Sequence, residues 1–188
     1  MIKGSCFHLR HVRKEDVPEL ITLMNSAEAK GEFLSLEVML PGALEKKFEA
    51  ESQSKDISES FLIIEGQEAN QGTKKDTILG RVFHFKTVPY FNSREIGYGM
   101  FISKMRGKGI MTEAVQLLTD YLFNTTLLNR LEIHMHVDNI ASEKVAINCG
   151  YLKEGIARGA AFSRGKHIDI TMYALLRSDW EQLNRSKP

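Results

Sequence analysis

The chain has 188 residues, 43% hydrophobic and 26% charged, enough for one globular domain with a substantial core. A formal net charge of +1 gives no bulk pull toward DNA, RNA or a membrane surface, so neither nucleic acid nor membrane is an expected partner. The first eight residues lack the apolar stretch of a secretory signal, no later run reaches the length of a membrane span, and the two cysteines, Cys6 and Cys149, form no CxxC pair; reduced thiols in a cytoplasmic protein are expected.

In chain order, Phe7 and Leu9 alternate with polar neighbours and predict a first strand. Asp16-Val17-Pro18-Glu19 reads as a capped helix start, continued by the apolar stripe Leu20, Ile21 and Met24. Residues 34 to 52 predict a second helical region interrupted near Pro41-Gly42, with Leu44 and Phe48 on one face. Phe61 to Ile64 is a short buried strand, Gly66 to Asp76 a polar loop, and Ile78 to Phe85 the returning strand of a hairpin. A loop with Pro89 and Asn92 leads to a strand from Glu95 to Ile102, whose Gly97 and Gly99 are expected where a sheet bends or meets a ligand closely.

The segment Arg106-Gly107-Lys108-Gly109-Ile110-Met111-Thr112-Glu113-Ala114 carries the most information, because a glycine-bearing loop there feeds directly into a helix with Met111, Val115, Leu118 and Leu122 on one stripe. Gly107 and Gly109 open backbone torsions closed to other residues and remove the Cβ atoms that would hold an anion off the amides. The first-turn N–H groups, with the positive end of the helix dipole behind them, then suit a phosphate. Arg106 and Lys108 add charge, which favours a pyrophosphate over a neutral ligand.

Leu131, Ile133, Met135 and Val137 next recur at strand spacing. Asp138-Asn139 caps a shorter helix holding Val145 and Ile147, which ends at Gly150. Ile168, Ile170 and Met172 mark a late strand, and Ser178-Asp179-Trp180 begins a terminal helix. No internal repeat or linker splits residues 1–188.

This order of elements and motifs resembles the GNAT superfamily of N-acetyltransferases, specifically the Rim-type branch that acetylates the N-terminal alanine or serine of ribosomal proteins. The resemblance is carried by Phe7-His8-Leu9-Arg10 with Asp16, by Glu95-Ile96-Gly97-Tyr98-Gly99, and by the loop from Arg106 to Ala114. Val137-Asp138-Asn139-Ile140-Ala141-Ser142, Gly150-Tyr151-Leu152-Lys153-Glu154-Gly155 and the segment around Asp169 complete it. It implies an α/β fold: a mixed, strongly twisted sheet of about six or seven strands flanked by helices, with a splay between the central parallel strands. It also implies acetyl-CoA as cofactor and an amine as acceptor. Pantetheine would pair with backbone groups of Met100, Phe101 and Ile102, and the diphosphate would sit on Arg106, Gly107, Lys108, Gly109, Ile110, Met111 and Thr112. Met111 stands where the family's loop usually carries glycine or alanine, which narrows the loop and leaves the N–H in place.

Asn139 and Ser142 match positions that contact the cofactor and the departing thiolate, which makes Ser142 the implied general acid. The tyrosine acid of many superfamily members would fall at Ala146, so that device is absent. Glu95, His84, Glu132 and His134 remain candidates for the base, with Glu95 and His134 foremost. A backbone N–H near Met100 or Phe101 would polarise the acyl carbonyl. The leading acceptor is a protein N-terminus; the alternatives are a small amine such as an antibiotic, polyamine or aminoacyl-nucleotide toxin, or a non-catalytic acyl-CoA-binding module. Monomer and homodimer are both compatible.

Plainer readings stand beside these. Asn139 serves equally as an N-cap, Cys149 as a small buried hydrophobe, and Tyr98, Tyr90 and Phe91 as core or pocket wall. His134 and His136 project from one strand face, but no third and fourth ligands accompany them, so no metal site is expected.

Overall fold

The computed structural model describes residues 1–53, 58–66, 76–88 and 90–185. Eight strands form one sheet: β1 (Ile2–Lys3), β2 (Phe7–His11), β3 (Ser58–Glu65), β4 (Ile78–Phe85), β5 (Ser93–Met100), β6 (Arg130–His136), β7 (Leu152–Ser163) and β8 (Lys166–Leu176). Their order is β1-β2-β3-β4-β5-β6-β8-β7, antiparallel throughout except between β5 and β6. Most of the predicted loop between Gly66 and Asp76 (residues 67–75), and Pro89, lie outside the described residues.

The parallel pairing holds only at Ser93 with Arg130, Arg94 with Leu131 and Glu95 with Glu132. Beyond those pairs β5 runs on to Met100 and β6 to His136 without pairing to each other, so the two strands part in a V. The N–H of Phe101 donates to Leu79 O at 2.9 Å. Ladder alternation then gives the odd-numbered residues of β5 their bonds to β4 and turns the N–H groups of Tyr98 and Met100 into the gap.

Helices cover both faces. On one side α4 (Ile110–Thr125) and α5 (Ile140–Asn148) close a core in which Ala114, Val115, Leu118 and Leu122 meet Phe7, Phe61, Ile63, Val82, Ile96 and Ile133. The stripe at three- and four-residue spacing puts those α4 side chains on one face. The helix stops at Thr126, where the backbone turns extended and the hydroxyls of Thr125 and Thr126 bond back to the Tyr121 and Leu122 carbonyls. The last helix, α6 (Arg177–Arg185), leans on α4 through Trp180, whose ring lies tilted 5.3 Å from that of Phe123 and whose indole N–H donates to Asp120. On the other side α1 (Val17–Asn25), α2 (Ala27–Lys30) and α3 (Pro41–Gln53) bury Leu20, Ala29 and Leu44 against Leu62, Ile64 and Phe101.

Two local expectations need correction, at the start of α3 and at the end of β5, and two others gain detail. Pro41 opens α3 instead of interrupting a helix, since its fixed φ and missing N–H suit a first-turn position, and residues 31–40 lie outside any helix. Asp16 is the N-cap residue of α1 as expected, but its side chain makes no capping bond there; it receives two nitrogens of the Arg10 guanidinium at 2.7 and 2.8 Å and the Arg13 N–H at 2.7 Å. The helix α5 holds Val145 and Ile147 as expected, and its buried residue is Ala146. Phe101 and Ile102 lie past the end of β5.

Gly97 faces Phe83 across the ladder, and a Cβ there would stand 2.3 Å from the ring. A Gly97→Ala substitution is expected to cost about 1–3 kcal/mol through overpacking, read as a lower urea midpoint; an unchanged midpoint would show that the ring moves freely.

Candidate active site

A cleft of about 1020 Å³ runs along the open side of the V, between the loop before α4, the start of α5 and the strip from Ala27 to Leu34. Gly107 and Gly109 adopt φ of +72° and +80°, and Gly109 is the N-cap of α4 with no side chain capping it. The first bond of the turn runs from Glu113 N–H to Gly109 O, which leaves the Ile110, Met111 and Thr112 amides facing the cleft end of the helix. A Cβ on either glycine would meet nothing within 4 Å, so the space above the loop is open. Free amides, helix dipole and open space together fit a diphosphate.

Arg106 departs from expectation. Its own N–H is already bonded to Ser103 O, so the available amides begin at Gly107. Its guanidinium reaches the carbonyls of Glu28 (2.5 Å) and Met100 (3.2 Å), and thereby ties α2 to the end of β5. Glu28 accepts the Ser103 N–H at 2.6 Å, a bond that holds its carboxyl below the ordinary value. Arg164, in the turn between β7 and β8, donates to the carbonyls of Gly31 (2.6 Å) and Leu34 (3.3 Å) on the same strip. Lys108 stays exposed, its Nζ 3.7 Å from Met105 Sδ.

At the other wall Asn139 caps α5, its side chain accepting the Ser142 N–H at 3.1 Å, and both residues line the cleft. Ser142 Oγ lies 2.8 Å from the Tyr98 hydroxyl. Burial pushes the Tyr98 phenol well above its ordinary pKa, so it stays protonated and able to donate. Tyr98 was legible only as pocket wall; its place between two glycines, on the strand before the loop, was the available signal. Cys149 is a buried thiol pushed up to about 12 by desolvation and bonded weakly to Thr112 O, which matches the plain packing reading.

Glu95 and His134 meet on the opposite face of the sheet, where the strands part. His134 Nδ1 lies 3.0 Å from Glu95 Oε2, and its Nε2 3.5 Å from Glu132 Oε2. The hydrogen bond to Glu95 chiefly raises the imidazole pKa, against the lowering effect of burial. Glu132 is otherwise paired with Arg130 at 2.6 Å, and Arg130 also grips Glu154 through both carboxylate oxygens. His136 is apart from this group, 5.3 Å from the Phe33 ring. His84 lies elsewhere, buried 3.3 Å from Glu59 under α4, and leaves the set of candidate bases. Phe101 is likewise moved: its N–H is occupied by Leu79 and its side chain is buried under α1 to α3, so the N–H groups turned into the gap are those of Met100 and Tyr98. The Ile102 carbonyl closes the turn to Met105.

Residues 7–152 match the acetyltransferase (GNAT) domain family. The chain belongs to that family. Membership makes it an N-acetyltransferase with acetyl-CoA as donor. It is 31% identical to the probable N-acetyltransferase YjcK of Bacillus subtilis (strain 168), over 97% of this GNAT chain and 100% of that protein. It is 32% identical to the ribosomal-protein-serine acetyltransferase of Escherichia coli (strain K12), over 54% of the chain and just 56% of that enzyme. Among solved structures, spermidine N-acetyltransferase from Vibrio cholerae, in complex with CoA and spermine, superposes with a TM-score of 0.77 at 18% identity, covering 95% and 99% of the two chains.

Proposed function

We propose that the chain, as one domain, acetylates the N-terminal α-amine of a protein, ribosomal proteins being the foremost class, by direct transfer in a ternary complex. The observation that carries this reading is the Glu95–His134 pair at the point where β5 and β6 part. An α-amine with pKa near 7.8 needs only about 1 kcal/mol to become neutral at pH 7, while a lysine-type amine near 10.4 needs roughly 4–5 kcal/mol. A carboxylate-oriented imidazole suits the first burden.

Bound acetyl-CoA supplies an acyl group already activated as a thioester. The amides of Gly107 through Thr112 would hold its diphosphate, and Asn139 stands beside them at the cleft wall. The Met100 and Tyr98 N–H groups offer donors for the negative charge that grows on the acyl oxygen. Ser142, whose Oγ lies 2.8 Å from the Tyr98 hydroxyl, hands a proton to the departing sulfur. From the opposite face neutral His134 accepts the proton that the attacking amine loses, so acid and base act from two sides of one gap.

The test is CoA release with N-terminal peptides, an Nα-blocked peptide carrying lysine, and spermidine, with the product located by mass. Acetylation at the α-amine is expected. Product confined to lysine or spermidine would overturn the α-amine reading, and acetyl-CoA binding without turnover on any amine would indicate a non-catalytic module. Ser142→Ala is expected to lower kcat about 10²-fold; full turnover would remove Ser142 from the acid role.

A further inference from the structure

Two cations, Arg81 and Lys47, stand on the acceptor face with Glu51 as the one acid between them among the described residues. In the β4–β5 register Arg81 lies opposite Gly99, and Phe83 opposite Gly97, on the same face as Glu95 and His134. The Phe83 ring covers Gly97, whereas the space above Gly99 is open. The Arg81 guanidinium sits 4.2 Å from the Phe83 ring centroid, and Lys47 Nζ sits 5.2 Å from it. The polar contact of Arg81 is a weak one, Met24 Sδ at 3.8 Å, and among the described residues no carboxylate forms an ion pair with it. Glu51, the nearby acid, is 3.9 Å from Lys47 and already accepts the hydroxyls of Ser58 and Ser60.

Burial brings the guanidinium down to about 10, so it remains charged at neutral pH, and burial together with Arg81 lowers Lys47. A stacked, desolvated guanidinium keeps unused donors in a fork that matches a carboxylate. Arg81 is one strand spacing, about 4.8 Å, from Gly99, and the gap with the Met100 and Tyr98 donors lies on the far side of that residue. The open space above Gly99 gives an acceptor amine one route into the gap, and along it Arg81 lies at a span on the order of 10 Å, within reach of the side chain of the acceptor's second residue.

We propose that Arg81 and Lys47, mounted on Phe83, form a carboxylate-reading subsite, and that the preferred acceptor is an acidic N-terminus with Asp or Glu next to the reactive residue. This rests on the α-amine reading above. It disfavours polyamines, whose second cation would meet two like charges.

The test uses two peptides, Ser-Glu and Ser-Gln at positions one and two and otherwise identical, titrated by calorimetry into the CoA-loaded protein, so that binding is read without turnover. The Glu peptide is expected to bind at least tenfold more tightly, with the ratio falling toward one in Arg81→Gln and partway in Lys47→Gln. Lys47→Gln covers the case in which Arg81→Gln fails to fold. Equal affinities in the unsubstituted protein, tighter binding of the Gln peptide, or no binding of either overturns the subsite. The acyl-transfer reading fails separately, as absent product with both peptides while the binding ratio persists.

Discussion

Replacing His134 with glutamine is expected to lower kcat by about 10²- to 10⁴-fold, with little change in acetyl-CoA affinity, because it deletes the proton acceptor and leaves the cleft on the α4 side intact. The pH dependence fixes the assignment. Glu95 raises the imidazole pKa above its ordinary 6.5, and only neutral His134 can accept a proton, so kcat/KM should rise as pH climbs through a value above 6.5 and then level. Glu95→Gln removes the main cause of the shift and should move that inflection to lower pH. A profile that ignores both substitutions would take the pair out of catalysis. Stability runs the other way: a raised histidine pKa contributes fully below the unfolded value near 6.5, and the contribution is lost as pH rises through the folded value. On the proposed mechanism the pair would therefore support the fold most at the pH where it would accept protons least.

Gly109→Val is expected to weaken acetyl-CoA binding by about 10- to 100-fold, the equivalent of losing one charge-assisted amide bond to the diphosphate. At φ +80° a β-branched residue is strained by roughly 1–2 kcal/mol, and its side chain would enter the open space above the loop. Gly109→Ala should give a smaller loss of the same kind. Calorimetry with acetyl-CoA, alongside a melting curve, separates lost binding from lost fold; native affinity in a folded Gly109→Val protein would move the diphosphate off this loop.

Both experiments probe features of different legibility. The loop and α4 could be read directly, because glycine torsions, helix start and apolar stripe are local in sequence. Leu152–Ser163 could not be read as a strand: its side chains are mostly exposed and include the run Gly159-Ala160-Ala161, so no alternation marks it. Residues 34–40 group by sequence with the helical region up to residue 52, yet they lie outside any helix, and Leu34, Leu36, Val38 and Leu40 are half or more exposed. Glu95 and His134 could each be nominated, but their contact depends on the register of two parallel strands separated by a helix. Arg81 carried no signal at all, because only the pairing of β4 with β5 reveals which glycine it faces.

The strip from Ala27 to Leu34 is fastened by exposed polar links from Glu28, Arg106 and Arg164, with Ala29 buried beneath it. Such links exchange readily for water, so this wall belongs to the least costly parts of the molecule to detach. If the cleft takes the cofactor as proposed, brief unlatching of this one rim would admit it and release product while the sheet stays whole, and raising ionic strength would be expected to change the exchange rate.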